Sequence, residues 1–232
     1  MKILAVSDEE LPALWDYYVP GRLKEYDLIL SSGATTPDRT AFILGQSPAD
    51  PLPRMLEDAR VLVSAGADVI AIPCNTAHYF YDALAEALPV PIINIIYETV
   101  HALSAMGVKT FGLLATAGTA AAGGYAQVAE RFGMTCVLPS PEEQALLNEL
   151  IYTSIKQGKN PDLTAFSALS ERLLGLGCER LVLGCTELSL LRRDAGLTAP
   201  YFDSLDALAL RSILACGKRP IGFDADLTEA LR

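Results

Sequence analysis

Short runs of apolar residues alternate with longer amphipathic stretches along most of the chain. The apolar runs have the length of buried strands, and they predict strands at residues 2–6, 27–31, 69–72, 91–95, 110–114, 135–138 and 180–183. Segments of helical length lie between them, including residues 53–64, 81–87, 121–132 and 141–157. Continuously apolar strands separated by helices predict an α/β fold whose parallel sheets are covered on both faces.

The same pattern occurs twice in the chain. A glycine that ends a helical stretch is followed by an apolar strand and, eight residues after the glycine, by a cysteine: Gly66 leads to Cys74 and Gly177 leads to Cys185. We therefore predict two similar Rossmann-like half-domains related by a pseudo-twofold axis, with the active site in the cleft between them. The expected boundaries are residues 1–98 with 206–232 for the first half and residues 99–205 for the second.

Composition narrows the classes of partner. The chain has 51% hydrophobic and 20% charged residues, which is typical of a compact globular protein. Its formal net charge of -10 argues against nucleic acid or an anionic membrane, because phosphate-binding surfaces need clustered Lys and Arg. No apolar run reaches the roughly 18 residues of a membrane span, and the five cysteines form no CxxC pair. We expect no membrane, no metal and a reducing cytoplasm.

Cys74 and Cys185 are the two cysteines that the repeat makes equivalent. Each follows a buried strand and precedes a helix, at the carboxyl edge where parallel sheets bind ligands. Inversion of a carbon centre needs a base on one face and an acid on the other, and a thiol with an ordinary pKa of about 8.5 serves as either near neutrality. The alternative interpretation, a small buried hydrophobe at a strand end, applies to Cys136, Cys178 and Cys216.

Six further polar residues stand at turns or near helix ends. Arg39 and Lys156 have the charge to bind a carboxylate, but each also fits a solvated surface group or a partner of a helix dipole. Four short hydrogen-bonding residues follow predicted strands and are equally typical of helix caps: Asn75, Thr76, Thr119 and Thr186. The residues alone leave both interpretations open.

Five ordered segments resemble the motifs of a known family. They are TPDRTAFILG (residues 36–45), PCNTAH (73–78), GLLATAGT (112–119), IYTSIKQG (151–158) and GCTE (184–187). Together they resemble the aspartate/glutamate racemase superfamily, and its aspartate racemase branch in particular, over about residues 35–217. The resemblance implies a PLP-independent racemase without cofactors, which converts L-aspartate to D-aspartate, with glutamate as a further substrate. Cys74 and Cys185 would be its thiol and thiolate.

The resemblance also assigns roles to the other polar residues. Arg39 and Lys156 are implied to hold the side-chain carboxylate of the substrate. The residues implied to contact its α-carboxylate and amino group are Asn75, Thr76, Thr119 and Thr186. Glu187 ranks below the threonines, as a group that orients its neighbours. The implied partner is a small acidic amino acid, and a homodimer is expected because family members are commonly dimers.

The first 33 residues depart from the family pattern. The family opens with a strand and a glycine-rich loop, whereas ILAVSDEELPALWDYY has no glycine. Residues 1–33 look more like the opening of a calcineurin-like metallophosphoesterase with an incomplete metal-binding pattern, and we expect a βαβ unit there. Two alternatives stay open: another superfamily reaction of the hydantoin racemase, maleate isomerase or decarboxylase type, or a weakly active binding protein that lacks the glycine loop.

Overall fold

The computed structural model describes residues 2–7, 27–159 and 161–231, whose strands form two four-stranded parallel sheets. The first sheet has the order β2-β1-β3-β4 and contains β1 (Lys2–Ser7), β2 (Asp27–Ser32), β3 (Val69–Ala71) and β4 (Ile92–Ile93). The second has the order β6-β5-β7-β8 and contains β5 (Thr110–Ala115), β6 (Thr135–Val137), β7 (Arg180–Gly184) and β8 (Tyr201–Asp203). The two orders are the same, which confirms the predicted α/β fold of two similar halves.

Helices connect the strands and cover the sheets. They are α1 (Arg39–Ile43), α2 (Leu52–Ser64), α3 (Tyr81–Ala87), α4 (Ile95–Ala105), α5 (Ala117–Ala122), α6 (Gly124–Arg131), α7 (Pro141–Glu149), α8 (Leu163–Gly175), α9 (Thr186–Ala195), α10 (Ser204–Ala215) and α11 (Ala225–Ala230). A 3₁₀ helix (Thr76–Phe80) precedes α3, and a π-helical segment (Leu150–Ile155) continues α7. Among the described helices, none has both the length and the apolar character needed to cross a membrane.

Two predicted boundaries were wrong, and local backbone chemistry explains both. The predicted strand at residues 91–95 pairs with β3 only at Ile92–Ile93, because the Asn94 side chain accepts the backbone N–H groups of Ile96 and Tyr97 and so begins α4. The predicted helix at residues 121–132 is two helices. Gly123 separates them with a φ of 72°, a left-handed conformation that ends α5.

The N-terminal segment is described only at its two strands. β1 and β2 are parallel neighbours, with Lys2 opposite Asp27 and Ser7 opposite Ser32. The remainder of the expected βαβ unit, with most of the glycine-free segment, lies in residues 8–26, outside the described residues, and the likeness of residues 1–33 to metallophosphoesterases stays an expectation.

One hydrophobic cluster is shared by both sheets. It contains Val69 of the first sheet, Phe111 and Val182 of the second, and the buried faces of α4 and α10, which pack against each other. Separate clusters lie on the other faces of the two sheets. The expected boundaries at residues 1–98 with 206–232 and 99–205 stay a proposal, since Thr99 lies within α4 and this helix belongs to the shared core.

Because α4 lies in the shared core, its buried apolar side chains should carry much of the stability of the whole chain. Leu103 is fully buried there, so Leu103→Ala should lower the free energy of unfolding by roughly 2–5 kcal/mol. Leu146, a helical residue on α7, is 53% exposed, and Leu146→Ala should change it by less than about 0.5 kcal/mol. Urea unfolding followed by circular dichroism measures both values. Equal losses would contradict the importance of the shared core.

Candidate active site

A cavity of about 230 Å³ lies where the carboxyl ends of β3 and β7 approach each other. The first half contributes the start of α1 and the turn after β3, and the second contributes the π-helical segment and the turns after β5 and β7. The predicted site residues that line this cavity are Arg39, Cys74, Asn75, Thr76, Lys156, Cys185 and Thr186. The fold therefore brings together residues that are up to 147 positions apart in the sequence, from Arg39 to Thr186.

Cys74 is half-buried directly after β3, beside a cation. Nη2 of Arg39 lies 3.9 Å from the Cys74 Sγ. Arg39 is the first residue of α1, and the preceding residue, Asp38, caps this helix by accepting the backbone N–H of Ala41 at 3.0 Å. Positive charge at this distance stabilises a thiolate by Coulomb attraction.

Cys185 is buried at the start of α9 and has a very different neighbour. Its Sγ donates a hydrogen bond to Oε2 of Glu187 at 2.6 Å, and Oε1 of the same carboxylate lies 3.1 Å from Lys156 Nζ. Burial, and then the negative charge of Glu187, raise the pKa of the Cys185 thiol well above its ordinary value. Burial alone would lower the pKa of Lys156, but the Glu187 carboxylate outweighs it and the pKa is raised.

The elements that carry Arg39 and Lys156 contact each other across the cavity. The Tyr152 hydroxyl donates to Thr40 Oγ1 at 3.0 Å, and Lys156 Nζ lies 5.1 Å from the centre of the Tyr152 ring. α1 also approaches α5 closely, because a Cβ at Gly118 would lie 2.9 Å from the Thr40 Cα. Position 118 thus has to be a glycine for α1 to reach this position.

Three threonine hydroxyls join the two halves beside the cavity. Thr76 Oγ1 lies 2.8 Å from that of Thr119 and 3.0 Å from that of Thr116, and these last two are 3.1 Å apart. Thr76 and Thr116 line the cavity. Thr119, a predicted site residue, is buried behind them and is not part of the lining, because the first turn of α5 directs its hydroxyl towards the other two.

Asn75 is fixed by buried hydrogen bonds to the second half. Its Oδ1 accepts from the Tyr125 hydroxyl at 2.6 Å, and its Nδ2 donates to Ser204 Oγ at 3.0 Å. Ser204 Oγ in turn donates to the Leu183 carbonyl at 2.8 Å. One of the two amide N–H bonds of Asn75 therefore remains for a molecule in the cavity.

Sequence reasoning missed several lining residues: Thr36, Asp38, Thr40, Thr116 and Tyr152. All five lie within the quoted motifs, and Tyr152 precedes Lys156 by one helical turn, a spacing that places two side chains on one face. Glu187, which was expected to orient its neighbours, contacts both a thiol and a cation. Within the described part of the chain, no group of three or more His, Cys, Asp or Glu side chains could hold a metal ion.

Comparison with known proteins identifies the family of this chain. The family model described as Asp/Glu/Hydantoin racemase matches residues 16–211. The chain belongs to this family. It is 29% identical over 162 residues to the broad specificity amino-acid racemase of Bacillus subtilis, a match that covers 68% of this chain and 69% of that one. It is 30% identical over 158 residues to the glutamate racemase of Persephonella marina, which covers 66% and 58% of the two chains.

A solved racemase structure has a similar fold. The Picrophilus torridus aspartate racemase superposes with a TM-score of 0.77 at 20% identity, over 100% of this chain and 99% of that one, which is a likeness of fold. The family match makes this protein a racemase of the Asp/Glu racemase superfamily. The roles of its individual residues and the expected homodimer stay predictions.

His78 supports the turn that carries Cys74. Its Nε2 accepts the backbone N–H of Ile95 at 3.2 Å, so the proton lies on Nδ1, which donates to the Cys74 carbonyl at 2.9 Å. His78 is buried, and desolvation lowers the pKa of its ring below the ordinary value of 6.5. The racemase therefore folds around a neutral imidazole.

A neutral buried histidine gives a defined dependence of stability on pH. The unfolded chain binds a proton at this residue as the pH falls through 6.5, whereas the folded chain binds it only at lower pH, so the contribution of His78 to stability is complete above pH 6.5 and is lost as the pH falls. At pH 5.5 this loss should reach up to about 1.4 kcal/mol relative to pH 7.5. His78→Gln should lack this part of the dependence, and His101→Gln is the matched control. Urea unfolding at both pH values measures it; a His78→Gln profile parallel to the parent's would contradict the assignment.

Proposed function

We propose that this racemase interconverts the enantiomers of aspartate, with glutamate as a further substrate, by proton transfer between two thiols and without a cofactor. The observation that carries the proposal is the position of Cys74 and Cys185, which follow equivalent strands of the two halves and line one cavity. A molecule bound between them would present one face of its α-carbon to each sulfur.

The reaction needs a base, an acid and a stabilised carbanion. One thiolate removes the α-proton, and the other thiol donates its proton to the opposite face. The negative charge that develops on the α-carboxylate requires hydrogen-bond donors. The free N–H of Asn75 is a suitable donor, and Asn75 and Thr186 both stand at the beginning of a helix, where backbone N–H groups add positive potential. The Thr186 hydroxyl donates its proton to Glu187 Oε2, so it would serve as an acceptor for the amino group of the substrate.

Substrate choice is attributed to the two cations of the cavity. Arg39 has a planar guanidinium that suits a carboxylate, and Lys156 adds a second positive charge from the other half of the protein. The carboxylates that also line the cavity, Asp38 and Glu187, already accept hydrogen bonds from Ala41 and Cys185. Because the cavity has two cations and its carboxylates already have donors, it favours the binding of an acidic amino acid.

A second candidate is the racemisation of neutral as well as acidic amino acids. The specific observation in its favour is the ion pair of 3.1 Å between Lys156 and Glu187, which neutralises one of the two cations. The relative from Bacillus subtilis bears the name of a broad specificity amino-acid racemase. A comparison of alanine with aspartate as substrates separates the two candidates.

Both thiols should be required for inversion. Cys74→Ser and Cys185→Ser should each lower the racemisation of aspartate by roughly 10²- to 10⁴-fold, because a serine hydroxyl is a much weaker base and acid at neutral pH. In heavy water each variant should still exchange the α-proton of one enantiomer only, and the two variants should prefer opposite enantiomers. Chiral chromatography and NMR measure both effects, with Cys216→Ser as control. Near-normal racemisation by either variant would refute the two-thiol mechanism.

Arg39 should act mainly on the side-chain carboxylate. Arg39→Ala removes a charge-assisted contact worth roughly 1.5–3 kcal/mol, so kcat/KM for aspartate should fall about 10- to 150-fold. Alanine has no such carboxylate and reports separately on the contact between Arg39 and Cys74. Arg60→Ala, at an exposed position of α2, is the control. If the parent racemises alanine as well as it does aspartate, the second candidate is correct.

A further inference from the structure

The two thiols of the cavity have unlike electrostatic neighbours. Cys74 lies 3.9 Å from a guanidinium nitrogen, whereas Cys185 donates its proton to a carboxylate oxygen 2.6 Å away. A symmetric reaction that inverts one carbon does not by itself need this difference. The difference follows from Glu187, which is 4% exposed and stands two residues after Cys185, whereas the residue two positions after Cys74 is the uncharged Thr76.

We propose that Glu187 is a positioning residue that holds Cys185 as the protonated thiol in the resting enzyme, so that Cys74 is the sulfur that begins catalysis as the thiolate. This inference rests on the proposed function, because it assigns the acid and the base of that reaction. Glu187 would act through Cys185 and is not expected to touch the substrate.

Both oxygens of the Glu187 carboxylate are committed to neighbours. Oε2 accepts from the Cys185 Sγ and from Thr186 Oγ1 at 3.1 Å, and Oε1 faces Lys156 Nζ at 3.1 Å. Glu187 also lies in the first turn of α9, where the helix dipole stabilises a negative charge. A carboxylate held in this way accepts the thiol proton of Cys185 in a hydrogen bond.

The other groups near Cys185 favour either its thiolate or its protonated thiol. Those that line the cavity around it are Asp38, Arg39, Cys74, Tyr152 and Lys156. Lys156 would favour a thiolate, but its charge is already directed at Glu187. Burial, Glu187 and the sulfur of Cys74 all favour the protonated form, and together they raise the pKa of Cys185. Arg39 lies against the other sulfur.

The proton and electron balance of the reaction follows directly. The Cys74 thiolate forms an S–H bond with the α-proton as the Cα–H bond breaks, and the released electron pair takes the Cys185 proton to form a new Cα–H bond. Cys185 is then a thiolate beside a carboxylate, which is unfavourable. After product release, solvent carries a proton from Cys74 back to Cys185, and the resting state returns. Because enantiomers have equal free energies, kcat/KM is the same in both directions, and the asymmetry has to be measured on the thiols.

The test is the titration of each thiol with and without the Glu187 charge. Protein labelled with ¹³C at the cysteine Cβ reports the ionisation of each sulfur by NMR, and the Cys185 signal is identified by its loss in Cys185→Ser. In Glu187→Gln the midpoint for Cys185 should fall by roughly one to three pH units. The control is Glu98→Gln, which also removes a buried carboxylate from the first turn of a helix, α4, but outside the cavity. An unchanged Cys185 midpoint in Glu187→Gln would overturn the inference.

The parent protein gives an answer even if that variant does not fold. Cys185 should keep its thiol signal at pH values where Cys74 has already become a thiolate, and the reverse order would overturn the inference. Activity adds a second readout. The alkaline limb of the pH profile for aspartate, where the acid is lost, should move to lower pH in Glu187→Gln, whereas a merely structural role would lower the rate without moving it. Absence of α-deuteration of any amino acid by the parent would refute the proposed function alone, because the titration needs no substrate.

Discussion

The packing of both sheets on one hydrophobic cluster is the constraint on which the site depends. The buried faces of α4 and α10 pack against each other in this cluster, and we attribute to this packing the distance between the ends of β3 and β7. A sulfur at each of these ends can serve one small molecule only if that distance is constant. Hydrogen bonds connect the two halves at the edge of the cavity as well. Asn75 accepts one from Tyr125 and donates one to Ser204, and the hydroxyls of Thr76 and Thr119 bond to each other.

The two cysteines hold equivalent positions in the fold, but the charged groups beside them differ. The two cysteines follow the third strand of sheets with the same strand order, yet one lies against Arg39 and the other against Glu187. Each charge comes from an element that differs between the halves: α1 in the first, the start of α9 in the second. In the mechanism that we propose, the repeated strand order provides a sulfur for each face of the substrate, and the different charges beside the two sulfurs make one an acid and the other a base.

The ion pair between Lys156 and Glu187 links this asymmetry to substrate choice. A single carboxylate contacts the thiol that we assign as acid and a cation that we assign to the substrate. Binding of a second carboxylate near Lys156 would weaken its pairing with Glu187. Specificity and proton transfer in this racemase are therefore expected to depend on the same three side chains, Lys156, Cys185 and Glu187.

The sequence by itself determined the class of fold, the repeat and the family. Apolar strands of fixed length and the spacing from glycine to cysteine are local features, and the five motifs gave Cys74, Cys185, Arg39 and Lys156 without coordinates. Only the tertiary structure decided that Thr119 stands behind Thr76, that Tyr152 reaches Thr40, and that Glu187 faces both Cys185 and Lys156. Such contacts depend on the direction of side chains and on the approach of elements that are distant in the sequence. An example is the close approach of α1 to Gly118, where a Cβ atom would not fit. Sequence patterns record periodicity along the chain, and they do not record distances across a cavity.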